Sequence, residues 1–159
     1  MMKVTLISPG KMKEKYLKDA QGEYQKRLSR YCDLTIIEPE PVKLPDAPSA
    51  SQINAALEKE AEIILKKVPE QSFVIALCVE GKELSSEDLA KKIKNLSDSG
   101  KQLCFIIGSS YGLSENVKKR ADIRLSVSQM TFPHQLFRVM LLEQLYRGYK
   151  INEGSTYHK

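Results

Sequence analysis

Several features that would declare a function outright are missing from this chain. No G-x-x-x-x-G-K-[ST] loop occurs, and "EGKELSS" has the lysine without the preceding glycine spacing. No G-x-G-x-x-G follows the first strand-like run, so the usual dinucleotide fingerprint is absent. No G-x-S-x-G nucleophile elbow is present either, and hydrolase and kinase readings are weak. Only two histidines occur, and Cys32, Cys78 and Cys104 have no C-x-x-C spacing, so no zinc set can be built and no metal is expected. Cys78 and Cys104 lie inside strand-like runs. All three thiols read as buried, reduced and structural, which fits the cytoplasm. No apolar run approaches the roughly 20 residues that cross a bilayer, so no membrane partner is expected. The opening "MMKVTLISPGKMKEKY" has a short apolar stretch followed by lysines and reads as a first strand, not a signal peptide.

What is present suits one domain, 1–159, with one real core. Hydrophobic residues make up 42% and charged residues 28%, ordinary for a globular protein. The net charge of +5 and the pI of about 9.0 favour an anionic partner, for which nucleic acid is the natural candidate; solvated lysines on helix faces explain the same excess.

Strand-like runs rich in β-branched residues fall at 3–8, 34–38, 73–79, 103–108 and 123–127. The runs at 73–79 and 103–108 are apolar almost throughout, as expected of strands covered on both faces. Helical stripes fill the gaps: Tyr16, Ala20, Tyr24, Leu28 and Tyr31; then Ile53, Leu57, Ala61, Ile64 and Val68; then Leu89, Ile93 and Leu96, with Ser85 placed to cap. Ser114 can cap a brief helix through Arg120. Between 38 and 51 four prolines forbid helix or central strand, leaving a long surface loop. Alternating strand and helix define an α/β protein with a mostly parallel sheet and helices on both faces.

From Gln135 to Lys150 two apolar stripes run side by side, one through Leu136, Val139, Met140 and Tyr146, the other through Leu141, Leu142, Leu145 and Tyr149. A helix apolar nearly all round must be covered nearly all round. The sheet covers one face, and a partner subunit is the economical cover for the other, predicting a twofold homodimer through this C-terminal helix. Pro133 suits its first turn, and Thr131 lies where it can cap.

Three loops remain, each at the C-terminal end of a strand, where ligands gather in open α/β sheets. They are "LCVEGKELS" beginning at Leu77, "IIGSSYGLS" around Gly108 and Gly112, and "SVSQMTFPH". Singly each is an ordinary turn. Together with "GKMKEKY", "TFPHQLFRVMLLEQLYRGYKI" and the terminal "YHK", they make the chain resemble the SPOUT class of RNA methyltransferases, and within it the RlmH (YbeA-like) family, over essentially its whole length. One departure stands out: Ser109 occupies the place of the second glycine in that family's usual "IGG".

The resemblance implies the SPOUT (α/β-knot) fold, with the last strand, loop and helix threaded into a trefoil knot, against the general rule. It implies a homodimer and S-adenosylmethionine as cofactor, held by Leu77, Gly108, Val127, Ser128, Gln129, Met130, Thr131 and Phe132. It implies methylation of N3 of a pseudouridine in 23S ribosomal RNA, within the assembled ribosome. For the proton that must leave N3, the candidates are the C-terminal Tyr157, His158 and Lys159 with Arg138, Glu143 and Arg147 on the helix; His158 suits the base and Arg147 the imide anion or a phosphate. His134, at a helix N-terminus, suits a structural role better than acid–base work. Lys11, Lys13 and Lys15 are placed either to meet RNA phosphate or to start a solvated helix. Competing readings are a SPOUT methyltransferase for another rRNA or tRNA position, an RNA-binding assembly factor without activity, and a flavodoxin-like nucleotide binder.

Overall fold

Five strands and five helices alternate along the chain. β1 (Met2–Ile7), α1 (Lys15–Leu28), β2 (Cys32–Ile37), α2 (Ala50–Lys67) and β3 (Ser72–Glu83) are followed by α3 (Ser86–Asp98), β4 (Gln102–Ile106), α4 (Glu115–Arg120), β5 (Ile123–Ser126) and α5 (His134–Asn152). The computed structural model describes residues 1–159. All strand pairs are parallel, in the order β2-β1-β4-β3-β5.

Strand periodicity sorts the core onto two faces. Ile75 and Leu77 of β3, with Leu103 and Phe105 of β4, point to the side covered by α1, α3 and α5. Val74, Ala76, Cys104 and Ile106 alternate with them and pack under α2 and α4. Coverage on both faces explains why these strands read as unbroken apolar runs.

The helix starts follow hydrogen-bonding chemistry. Ser85 and Ser114 cap α3 and α4 by accepting from the N–H of Asp88 (3.0 Å) and Val117 (3.4 Å). Ser49 and Gln52 close a reciprocal capping box on α2, which stops the proline-rich segment cleanly.

Three expectations need correction. Tyr16 is 69% exposed and Leu17 is buried in its place, while Ala20, Tyr24 and Leu28 pack on the core as the predicted stripe has them, so only the first position of that stripe departs. Thr131 caps nothing: Pro133 occupies the N-cap of α5 and no side chain bonds its first N–H groups. The two stripes of α5 are covered largely from within one chain, because α1 and α3 flank it while the sheet lies beneath. Leu141, Leu142 and Leu145 are buried, Tyr146 nests among Tyr24, Tyr31 and Tyr157, and Leu136 remains as the one large apolar side chain of α5 classed as exposed, at 37%.

Candidate active site

The C-terminal ends of β3, β4 and β5 open into one cavity of about 660 Å³. Its first wall comes from an irregularity in β3. Leu77 pairs with Leu125, and Lys82 pairs with the same residue, so 78–81 loop out between them. Gly81 lies where the chain returns against β5; a Cβ there would sit 2.8 Å from the Arg124 carbonyl, so only glycine fits.

The second wall is the loop after β4. A Cβ on Gly108 would lie 2.3 Å from the Gly112 carbonyl oxygen, so this turn closes backbone on backbone. Gly112 holds φ at +88° and donates its N–H to the Ser109 carbonyl at 2.9 Å. The Ser109 hydroxyl donates across to Glu60 Oε1 of α2 at 2.9 Å. Glu60 is 7% exposed, and burial pushes its carboxyl above the ordinary glutamate range.

The third wall is the segment leading into α5. The Ser126 hydroxyl donates to the Ser128 carbonyl at 3.0 Å, and Ser128 Oγ accepts from the Met130 N–H at 2.9 Å. These local bonds turn the chain so that Val127, Met130 and Phe132 stand largely uncovered, Met130 at 76% exposure. Apolar side chains left bare around a cavity with polar backbone between them suit a flat heterocycle with a polar edge.

Of the eight residues expected to hold a cofactor, Leu77, Gly108, Val127, Ser128, Met130, Thr131 and Phe132 line this cavity and Gln129 does not. Cys78 also lines it, half-buried, whereas Cys32 and Cys104 are buried in the core. His134 sits on the rim; burial, with Arg138 and Lys13 nearby, lowers its imidazole pKa and keeps it neutral, in accord with a structural role.

Tyr157, His158 and Arg147 form a second cluster elsewhere. The terminal segment folds back so that the Arg147 guanidinium lies 4.9 Å from the centroid of the Tyr157 ring. Arg147 Nε donates to Glu143 at 2.7 Å, and its NH1 lies 3.1 Å from His158 Nδ1. His158 Nε2 lies 2.7 Å from Glu87 Oε1, and this contact lowers the Glu87 carboxyl pKa. A guanidinium can only donate, so Nδ1 is the acceptor from Arg147 and Nε2 the donor to the Glu87 carboxylate, which engages both ring nitrogens. From His134 to Arg147, α5 advances about 20 Å at 1.5 Å per residue. Within one chain, the cluster is therefore remote from the cavity rim, and none of its residues lines the cavity.

Arg138 is structural. Wholly buried, it donates to Glu38 at 2.6 Å, to the Gly10 carbonyl at 2.8 Å and to Ser8 Oγ at 3.1 Å, tying α5 to the end of β1. Sequence reasoning missed Glu60, Glu87 and Gln135. Glu60 had a legible signal, since a carboxylate falls on the buried stripe of α2 beside Ala61 and Ile64. Glu87 and Gln135 owe their roles to contacts across 71 and more than 120 residues, which no local pattern encodes.

A parallel sheet covered on both faces, with its strand-end loops around one cavity, defines an α/β protein of the doubly covered type, whose ligands characteristically gather at that edge. The family model described as "Predicted SPOUT methyltransferase" matches residues 2–158, and the chain belongs to the SPOUT methyltransferase family. It is 52% identical over 159 residues to the ribosomal RNA large subunit methyltransferase H of Clostridium kluyveri and 54% identical to that of Bifidobacterium adolescentis, each match covering 99% of this chain and 100% of the relative. A Methanococcus maripaludis protein given the same name provisionally is 57% identical, with the same coverage. A probable methylase family protein from Haemophilus influenzae shares the fold with a TM-score of 0.58, at 11% identity, covering 99% of this chain and 71% of that one.

Proposed function

We propose that this chain transfers a methyl group from S-adenosylmethionine to N3 of a pseudouridine in 23S ribosomal RNA, acting as one domain on the assembled ribosome in the cytoplasm. One observation carries the reading: the three loops that hold the family resemblance close around a single cavity. Relatives that match from end to end and are named as ribosomal RNA large subunit methyltransferases support it.

The cavity fits the cofactor. Its volume lies inside the roughly 300–1,000 Å³ of small-molecule sites, and the Gly108–Gly112 turn leaves backbone where side chains would intrude. Leu77, Met130 and Phe132 enclose the adenine, while backbone groups of Gly108, Val127, Ser128 and Thr131 read its polar edge, and Gln129, outside the lining, carries the chain between them. The bound cofactor supplies an electrophilic methyl on a sulfonium. Everything else falls to the chain. The loop walls hold the donor in line with the attacking nitrogen and exclude water. N3–H is a weak nucleophile until its proton leaves, so an acceptor and a cation for the imide anion are needed. His158 takes the proton on Nδ1 once its contact with Arg147 opens, while Nε2–H stays on Glu87; the freed Arg147 stabilises the anion, and Tyr157 holds the guanidinium by its ring face.

The distance between cluster and cavity is bridged, in this reading, by a second copy. Two α5 helices paired about a twofold axis bring the tail of one protomer to the cavity of the other. Leu136 and half-buried Met140 on the outer face of α5, with a buried Glu143 oxygen that lacks a donor, support that pairing. The trefoil knot belongs to the same reading: threading the last strand and helix fixes the loop walls against one another.

The test is incubation with labelled S-adenosylmethionine and ribosomes from a strain lacking this protein, followed by mass spectrometry of the RNA. One methyl on a 23S pseudouridine is expected. Label in transfer RNA or the small subunit, or no transfer, overturns the proposal. Sedimentation at micromolar concentration is expected to give a dimer that Leu136→Glu converts to monomer; a stable wild-type monomer removes the shared site.

A further inference from the structure

The loop between β1 and α1 is held with more care than a connection requires. Gly10 takes φ of +87°, and its N–H donates to the Pro39 carbonyl at 2.8 Å. Arg138 reaches the Gly10 carbonyl at 2.8 Å. One turn of α5 then grips the next three residues. Gln135 Oε1 accepts from the Lys13 N–H at 3.0 Å, and its Nε2 donates to the Lys11 carbonyl at 3.1 Å. Met12 between them is buried against Leu17 and Val139. With Met12 pointing in, Lys11 and Lys13 both point out, and both are exposed.

Their charges are free. Lys15 is paired with Asp19 at 2.7 Å, but Lys11 and Lys13 enter no ion pair. Glu14 is the one acid from Gly10 to Lys15. The position is also specific. Gln135 follows His134, a residue of the cavity rim, and Lys13 lies near enough to depress the His134 imidazole pKa. A loop held at both ends therefore presents two unpaired ammonium groups beside the His134 edge of the cavity, whereas Lys118, which also lines the cavity, is paired with Glu80.

We propose that the Gly10–Lys13 loop is a phosphate grip for the RNA strand that carries the target nucleotide, with Lys11 and Lys13 meeting phosphates next to it and Gln135 as the positioning residue that sets the loop. The inference rests on the RNA-methyltransferase reading above. Lysine suits the task as a point charge that follows the backbone without reading bases. Lys15, engaged on α1, takes no part.

The experiment compares wild type with Lys11→Ala/Lys13→Ala and with Gln135→Ala. It measures filter binding to a protein-free 23S fragment and to intact large subunits across a salt series, with calorimetry for S-adenosylmethionine. Two lost single-strand phosphate contacts lower the slope of log affinity against log salt by roughly 1.4 and weaken RNA binding about tenfold near physiological salt. The KM for ribosomes rises to match, and the S-adenosylmethionine Kd stays within twofold. Gln135→Ala weakens RNA binding with the slope unchanged, because it moves charges without removing them. An unchanged slope in the double variant overturns the grip. Sensitivity on intact subunits but not on the RNA fragment also overturns it, by assigning the loop to a protein partner. If wild type binds RNA with the expected slope but transfers no methyl, the grip stands and the enzymatic reading fails.

Discussion

Ser109 replaces a glycine of the family pattern, and the structure gives it a specific partner whose removal has a calculable cost. Its hydroxyl is the donor to Glu60, a carboxylate 7% exposed on the buried side of α2. Hydrogen bonds to charged groups contribute about 1.5–3 kcal/mol, and a buried acceptor left without its donor bears the desolvation cost alone. Ser109→Ala should therefore lose about 2 kcal/mol. For a chain of this size that is a fall of about 4–8 °C in Tm, at about 2–4 °C per kcal/mol. Glu60→Gln should act the other way. Burial raises the Glu60 carboxyl above its ordinary value of 4.5. Between the unfolded and folded values the native state binds more protons than the unfolded state. Stability then falls as pH rises through that window, and the deficit is complete above the folded value. Glutamine still accepts from Ser109 but has no charge to desolvate. The Glu60→Gln variant should melt above wild type at pH 7, with the gap closing as pH falls below the ordinary carboxyl value. Calorimetric melting at several pH values reads both effects. A Ser109→Ala protein melting within about 1 °C of wild type at pH 7, where the loss above is several degrees, refutes the link. So does a Glu60→Gln gap that persists unchanged into acid.

The cavity turn, the three thiols and the buried arginine can each be tested in the same way. Gly108→Ala should fold yet fail to bind S-adenosylmethionine in calorimetry, because its Cβ would lie 2.3 Å from the Gly112 oxygen and must push that turn into the cavity; a Kd near the wild-type value sinks the cradle. Native alkylation should mark Cys78 alone, slowly because burial raises its thiol pKa, and slower still with the cofactor bound; Cys32 and Cys104, pushed up to about 11 and about 12, should stay unlabelled until denaturation, and mass spectrometry showing equal labelling refutes this. Arg138→Met should cost about 3–5 kcal/mol in urea melts, as expected when one partner of a buried ion pair is removed; a variant that kept full stability but lost methyl transfer would return Arg138 to the reacting groups.

Alternation of strand and helix, the strand-end loops and the caps at Ser85 and Ser114 were legible because each depends on neighbours within a few residues. The strand order was not, because pairing Val4 with Leu103 or Ile75 with Ile123 leaves no trace in local periodicity. Tyr16 misled because an exposed aromatic at the start of α1 fits the same spacing as a buried one, and only the position of the sheet distinguishes it from Leu17. Arg138 misled for a related reason. An arginine on a helix near the cofactor loop suits RNA or a reacting anion, and its two terminal nitrogens go instead to Glu38, Ser8, Gly10 and Gln21, more than 100 positions away in three of these four cases and 100 in the other. Glu60 shows what can be read without an alignment: a charge on an apolar stripe signals a buried partner, though not which one.

α5 explains why these features resist separation. Its N-terminal end forms the cavity rim at Pro133 and His134, and within the next turn Gln135, Arg138 and Val139 hold the β1–α1 loop. About 20 Å from the rim, Arg147 engages His158, and beyond it Gly148 packs against Ile93, with 3.0 Å between that side chain and a would-be Cβ. Every register of this helix thus has a task on at least one side. A shift of one residue would turn Gln135 from the loop, Arg138 from its acceptors and Gly148 from α3 together. That coupling explains why the apolar stripes of α5 that its own chain covers extend so far round the helix: the stripes fix the register, and the register aligns cavity, loop and tail. Substitutions at buried positions of α5 should therefore impair stability and binding at once. Only tip residues such as Lys11, Lys13 and His158, which the helix aims but does not bury, can separate RNA affinity from chemistry.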